Sequence, residues 1–253
     1  MDSVAAKTVM NLSRRDIKIG CCGFPERRAE YYNEFSVVEV QQTFYQPPLL
    51  KTAMKWRKEA PLTFEFTIKA WQLITHSPES PTYRRLKMKI PEDKKNRYGY
   101  FRPTAEIQEA WSVTEEIAEA LQCKVIVFQS PARFTPTKEN RDNLRRFFKT
   151  IDRKDYWLVW EPRGEWDRTD VLRLCRELNL IPCMDPFEVG FGHGDILYLR
   201  LHGIGGYRYR YDDRDLRFLL AGIGGLPRGV GAYCMFNNIS MLDDARRFKA
   251  MST

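Results

Sequence analysis

The sequence contains no run of 18 apolar residues, and its 253 residues include only three histidines and six cysteines. The missing run excludes a hydrophobic membrane-spanning helix. The opening, MDSVAAKTVMNLSRRD, lacks the apolar centre of a secretory signal, which predicts a chain that neither spans a membrane nor is secreted by that route. Cysteines this sparse cannot build a disulfide scaffold and predict a cytoplasmic location. The first strand-like segment reads IGCCGF and misses the G-x-G-x-x-G spacing, so a dinucleotide-binding open sheet is the lesser reading. Neither His-Glu-x-x-His nor a zinc cysteine pattern occurs; the spacing predicts no metal site and names no cofactor.

What is present is apolar and basic. Hydrophobic residues make up 43% and aromatics 13% of the chain, enough to fill a sizeable core. Lys and Arg number 41 against 33 Asp and Glu, a net charge of +8, with arginine outnumbering lysine. Such a balance suits an anionic partner, either a small molecule carrying carboxylate or phosphate or, as an alternative, nucleic acid.

Eight short segments rich in Val, Ile, Phe, Tyr and Trp read as strands: 17–24, 36–45, 63–70, 124–130, 156–163, 180–185, 195–203 and 230–238. Helical patterns lie between several of them. Thr104 caps a stripe of Ile107, Ala110, Trp111, Ile117, Ala118 and Leu121. Thr137 precedes Leu144, Phe147 and Phe148, Thr169 opens a third helix, and Pro47–Pro48 introduce a shorter one marked by Ala53, Met54 and Trp56. This alternation predicts an α/β fold, a (β/α)₈ TIM-type barrel with irregular outer helices, as a single domain over 1–253. Residues 77–103 read as an elaborated loop after the third strand.

Barrel strands are covered on both faces and should be almost wholly apolar. Several are not. Alternation sets Glu39 and Tyr45 against Val38 and Phe44, Lys69 against Ile68, Glu161 and Arg163 against Trp160, and Arg200 and His202 against Leu199 and Leu201. Gln129 and Asp185 fall near the ends of the fourth and sixth strands, His76 just beyond the third, and Asn237 at the end of the eighth. Barrel enzymes carry their chemistry at such strand ends. Glu161, Asp185, His202 and His76 are therefore candidate acid–base groups. Glu39, Tyr45, Lys69, Gln129, Arg163, Trp166, Arg200, Tyr207 and Asn237 are candidate substrate contacts. The competing reading is a salt-bridge lattice that fills the core. Asn237 and Asn238 serve equally as ligand amides or as turn formers, and Cys22, with no adjacent histidine, has no evident activator.

The segment GIGGYRYRYDDRD (203–215) alternates tyrosine with arginine. Rings that stack on bases beside guanidinium groups on phosphates would suit nucleic acid, with Arg84, Arg85, Arg97, Arg208 and Arg210 as contacts. The same letters fit a loop laced to Asp212 and Asp213.

Taken together, VVEVQQTFYQPP, FEFTIKAWQLITH, VIVFQSP, EPRGEW, Asp185–Pro186, YLRLHG and MFNN resemble the YecE-like family, also called domain of unknown function 72. The resemblance covers most of the chain and implies a (β/α)₈ barrel, of a kind shared with xylose-isomerase-like and endonuclease-IV-like proteins. It implies a shared polar pocket formed by Glu39, Thr43, Phe44, Tyr45, Lys69, Thr75, His76, Gln129, Glu161, Arg163, Trp166, Asp185, Arg200, His202 and the Asn237–Asn238 pair, without implying a reaction. The chain departs from the family pattern at Gly20-Cys21-Cys22-Gly23-Phe24, where Gly-Thr-Ser-Gly-Trp is frequent, and at Gln41, where asparagine is usual. Its tyrosine–arginine loop and long third crossover resemble a compact archaeal branch. Three function classes follow: an enzyme on an anionic or polyhydroxylated small molecule, a nucleic-acid protein or metal-assisted phosphodiesterase, and a non-catalytic sensor or scaffold.

Overall fold

A computed structural model describes residues 17–191, 196–227 and 229–252. The opening segment, His193 and Asp195, the last placed by the sequence reading at the start of the seventh strand, lie outside the described residues.

Eight strands close into a barrel in sequence order: β1 (Ile17–Cys22), β2 (Val37–Val40), β3 (Glu65–Lys69), β4 (Val125–Gln129), β5 (Trp157–Glu161), β6 (Ile181–Met184), β7 (Ile196–Leu201) and β8 (Gly231–Phe236). β8 runs parallel to both neighbours, Cys21 pairing with Phe236 and Leu201 with Phe236. The α-helices among the described residues are α1 (Arg28–Glu34), α2 (Gln42–Tyr45), α3 (Leu50–Glu59), α4 (Gln72–Thr75), α5 (Ala105–Leu121), α6 (Lys138–Thr150), α7 (Arg168–Glu177), α8 (Pro186–Val189), α9 (Asp213–Gly224) and α10 (Met241–Ser252). Two 3₁₀ turns, Pro81–Arg85 and Glu92–Arg97, occupy the elaborated loop.

The strands are shorter than their apolar letters suggest. VVEVQQTFY is one strand by composition, yet β2 ends at Val40 and residues 42–45 form a helical turn. Thr43 Oγ1 lies 2.8 Å from the carbonyl oxygens of both Val40 and Lys69, tying that turn to two strand ends. Tyr45 therefore sits on a helix and does not continue the strand face of Glu39.

By its contacts the chain divides into two compact units, residues 39–182 and residues 1–38 with 183–253. In the first, the predicted stripe of α5 is buried as expected, and Leu144, Phe147 and Phe148 are the buried face of α6. An aromatic cluster joins them: Phe101, Trp111, Phe128, Phe147 and Phe148 pack with ring centroids 5.0–6.2 Å apart. Phe101 reaches this core through the left-handed run Gly99, Tyr100 and Phe101. The run is held by backbone bonds from Gly99, Tyr100 and Phe101 to the carbonyls of Leu73, Thr75 and Ile74. A Cβ at residue 99 would lie 2.4 Å from the His76 carbonyl oxygen, which explains the glycine.

Three helix details differ from the sequence reading. Thr137 caps α6 through Asn140 N–H, but the Thr104 hydroxyl donates to the Arg97 carbonyl and makes no cap bond. Asp167, not Thr169, caps α7, because its carboxylate reaches the N–H groups of Thr169 and Asp170. Met54 is exposed, while Ala53 and Trp56 carry the buried face of α3.

In the second unit, Tyr211, Leu216, Leu219, Ile223, Phe236 and Phe248 are buried. The Asp212 carboxylate and that of Asp215 form a reciprocal capping box that starts α9.

Candidate functional site

Charges on the strands are buried: Glu39 is 0%, Lys69 4%, Glu161 5% and Arg200 1% exposed. Groups of this kind must be paired or hydrogen-bonded.

In the unit 39–182, Lys69, Gln129 and Glu161 are the last residues of β3, β4 and β5. Parallel pairing sets Gln129 beside Glu161. Lys69 Nζ donates to Gln129 Oε1 at 2.5 Å and lies 4.0 Å above the Phe44 ring. Arg163 Nη2 meets Glu161 Oε1 at 2.6 Å, with the guanidinium side chain one-third exposed and the carboxylate buried. Pro162 biases the preceding Glu161 toward extended backbone. Glu39 Oε1 accepts from the Gln41 amide, the position at which the chain departs from the family pattern.

His76 lies against the same ring, its imidazole edge-on to Phe44 at 4.9 Å and its Nδ1 2.8 Å from Thr75 Oγ1. Burial, and then the charge of Lys69, push its pKa down to about 3. The ring is therefore neutral near pH 7. The Arg85 guanidinium lies 3.7 Å over the Tyr45 ring. These contacts connect Tyr45, Phe44, His76, Lys69, Gln129, Glu161 and Arg163. Trp166 is bound into packing, stacked on Phe134 at 5.6 Å and edge-on to Trp160 at 5.0 Å.

In the other unit, Asp185 follows β6 and caps α8. Its Oδ1 accepts from Phe187 N–H at 3.1 Å and its Oδ2 from His202 N–H at 3.0 Å. Burial raises its pKa against the pull of those two bonds. Both oxygens are thus engaged with backbone. His202, half-buried after β7, places Nδ1 2.9 Å from Asn237 Nδ2. Asn238 turns the other way, donating to the Tyr209 carbonyl and to buried Asp244. The asparagine pair thereby divides: Asn237 faces the histidine and Asn238 holds a loop. Arg200 lies within β7, in register with Met235.

Residues 23–253 match the family model described as protein of unknown function DUF72. The chain belongs to the DUF72 family. Among solved structures, a DUF72 family protein from Thermotoga maritima is 21% identical with a TM-score of 0.68, the alignment covering 93% of this chain and 98% of that one. One from Enterococcus faecalis is 19% identical with a TM-score of 0.70, covering 94% and 96%. A xylose isomerase domain containing protein from Salmonella typhimurium is 14% identical with a TM-score of 0.58, covering 94% and 96%. These likenesses carry the barrel fold. No curated protein sequence matches this one.

The tyrosine–arginine segment of this DUF72 chain is not one stacking platform. Tyr207 is exposed, but the Tyr209 hydroxyl donates to Asp215 and Tyr211 is buried, its hydroxyl accepting from Gly203 N–H at 2.8 Å. Arg210 faces Asp243 at 4.0 Å, and outside this segment Arg97 pairs with Glu106 at 2.7 Å. Arg84, Arg85 and Arg208 are exposed. Among the described residues no three His, Cys, Asp or Glu side chains gather as a metal-binding group.

Two contact residues escaped the sequence reading. Gln72 is buried, donates to the Tyr45 carbonyl, and has its Oε1 without a hydrogen-bond partner. Asp244 is buried and receives Asn238, Tyr211 N–H and Arg247. A lone glutamine in the apolar stretch AWQLIT was a signal for the first; the sequence around Asp244 offers none.

Proposed function

We propose that this DUF72 barrel is an enzyme acting on an anionic or polyhydroxylated small molecule, with Glu161 as the proton-transferring carboxylate. Arg163 and Lys69 offset substrate charge, and Gln129 orients the substrate through its amide. The observation that carries this reading is the Glu161–Arg163 pair: a buried carboxylate at a strand end, bonded at 2.6 Å to an arginine whose side chain is one-third exposed. A substrate carboxylate or phosphate can take over the guanidinium, which frees the carboxylate to act as a base.

The six free cysteines suit a reducing compartment and so the cytoplasm. No helix among the described residues is long and apolar enough to cross a membrane. The nucleic-acid reading draws less support, because Arg97 and Arg210 face acids and only one of three loop tyrosines is exposed.

The test is a binding and turnover screen of sugar phosphates, hydroxy acids and short oligonucleotides with the parent protein, Glu161→Gln and Arg163→Met. Glu161→Gln should lower turnover by about 100-fold or more while retaining binding, and Arg163→Met should weaken binding of the anionic compounds. Oligonucleotide binding that falls steeply with salt and ignores both substitutions favours the nucleic-acid class. Binding without turnover in the parent favours a sensor.

A further inference from the structure

The unit 39–182 holds an open cavity of about 570 Å³ between the elaborated loop and the turn that follows β4. That volume lies in the range of small-molecule sites. Its walls carry three acids, Glu79, Glu92 and Asp93, and three bases, Lys95, Arg102 and Arg133. Most of these charges are already answered. Lys95 Nζ donates to Glu92 at 2.7 Å. Glu79 accepts from Ser77 and from its own N–H, which, with Lys95 and Arg102 nearby, hold its carboxyl below the usual range. The Arg102 guanidinium donates to the Tyr98 carbonyl at 2.5 Å and lies 5.0 Å over the Tyr100 ring. Asp93, Asn96 and Arg133, by contrast, make no side-chain hydrogen bond or ion pair among the described residues.

The walls are held in place. Arg133 precedes buried Phe134, whose N–H donates to the Pro131 carbonyl at 2.9 Å and whose ring lies 5.7 Å from that of Tyr100. Tyr100 itself has a φ of 56°, a left-handed conformation that few residues other than glycine adopt. Backbone strain of this kind gathers at ligand sites.

We propose that this cavity binds a small zwitterion, with an anionic group on Arg133 and an ammonium group on Asp93. A short peptide with free ends has that chemistry, and the Asn96 amide can both donate to and accept from its backbone. Three acids against three bases leave the walls without net charge, so neither a multiply charged anion nor a polyamine is favoured. Two unmet charges of opposite sign select a ligand that carries both. The proposal does not depend on the role given to Glu161.

Isothermal titration calorimetry of the full chain tests it with trialanine, N-acetyl-trialanine, which lacks the ammonium group, and trialanine amide, which lacks the carboxylate. Trialanine should bind, and each blocked probe should bind about tenfold more weakly. Both substitutions lie at exposed positions. Arg133→Met should weaken trialanine by about tenfold and leave trialanine amide unchanged. Asp93→Asn should weaken trialanine by a similar factor and leave N-acetyl-trialanine unchanged. Glu161→Gln should not alter trialanine binding. Absence of trialanine binding overturns the proposal, as does binding that survives both Arg133→Met and Asp93→Asn. Equal binding of trialanine and N-acetyl-trialanine would make this an anion site and overturn the zwitterion assignment. Loss of trialanine binding in Glu161→Gln, with none in Arg133→Met, would move the peptide to the strand ends and overturn the cavity as its site.

Discussion

The ends of β3–β5 and the ends of β6–β8 are both polar, yet they hold their polar groups differently. At β3–β5 the charged groups are tied to side chains, Lys69 to Gln129, Glu161 to Arg163 and Arg85 over Tyr45, while Thr43 and Gln72 meet carbonyls. At β6–β8 most run from side chain to backbone. Asp185 takes two N–H groups, Tyr211 takes Gly203 N–H, and Asn238 gives to the Tyr209 carbonyl. A side-chain partner can be exchanged for a ligand while the fold stays intact. A backbone partner cannot leave without its loop. The first group is suited to chemistry and the second to holding loops in place, with the Asn237–His202 contact as the exception.

The largest expected effect lies in the first region and depends on pH. The ordinary histidine value is 6.5, and burial with Lys69 nearby lowers that of His76 to about 3. Between those values the unfolded chain takes up a proton that the folded protein refuses, so stability falls as pH drops through the window. At roughly 1.4 kcal/mol per unit, the loss approaches about 3 kcal/mol by pH 4. Urea unfolding of the parent at pH 6.5 and 4, set against His76→Gln, should show a shallower pH dependence in the variant. Equal slopes would remove the buried, positively influenced imidazole from the account of β3–β5.

The next effect belongs to the second region. Asp185→Ala leaves two backbone N–H groups without their acceptor and should cost about 2 kcal/mol. The pH signature there has the opposite sign. Burial raises the Asp185 pKa above its ordinary 3.8. The folded protein therefore keeps a proton that the unfolded chain has released, and this contribution declines as pH rises through the raised value. Loss of that falling component in Asp185→Asn, seen in the same urea series, would sharpen the contrast with His76.

Much of this was legible in the sequence, for identifiable reasons. The barrel followed from eight β-branched and aromatic segments separated by helical periods. Lys69, Glu161 and Arg200 stood out because a charge inside an apolar strand run needs a purpose. What stayed hidden was non-local. The helical turn at 42–45 depends on Thr43 reaching the Lys69 carbonyl, and nothing in VVEVQQTFY marks the stop. Phe101 joins the aromatic core only because Gly99 lets the chain pass against His76. The tyrosine–arginine alternation suggested one exposed face, but Tyr211 turns inward to meet Gly203 and Asp244. Periodicity reports which face a residue occupies, and it does not report which distant partner claims it.

The smallest effect on stability is expected where the effect on turnover is expected to be large. Glu161→Gln removes the charge that meets Arg163, but the Arg163 side chain is one-third exposed, and the new amide oxygen still accepts a hydrogen bond. The cost should stay within about 1 kcal/mol. Urea midpoints should then place Glu161→Gln closer to the parent than Asp185→Ala. A severed, fully buried pair would instead cost about 3–5 kcal/mol. A loss of that size in Glu161→Gln would make the pair part of the scaffold, and the distinction between a region that trades partners and a region that holds loops would fail.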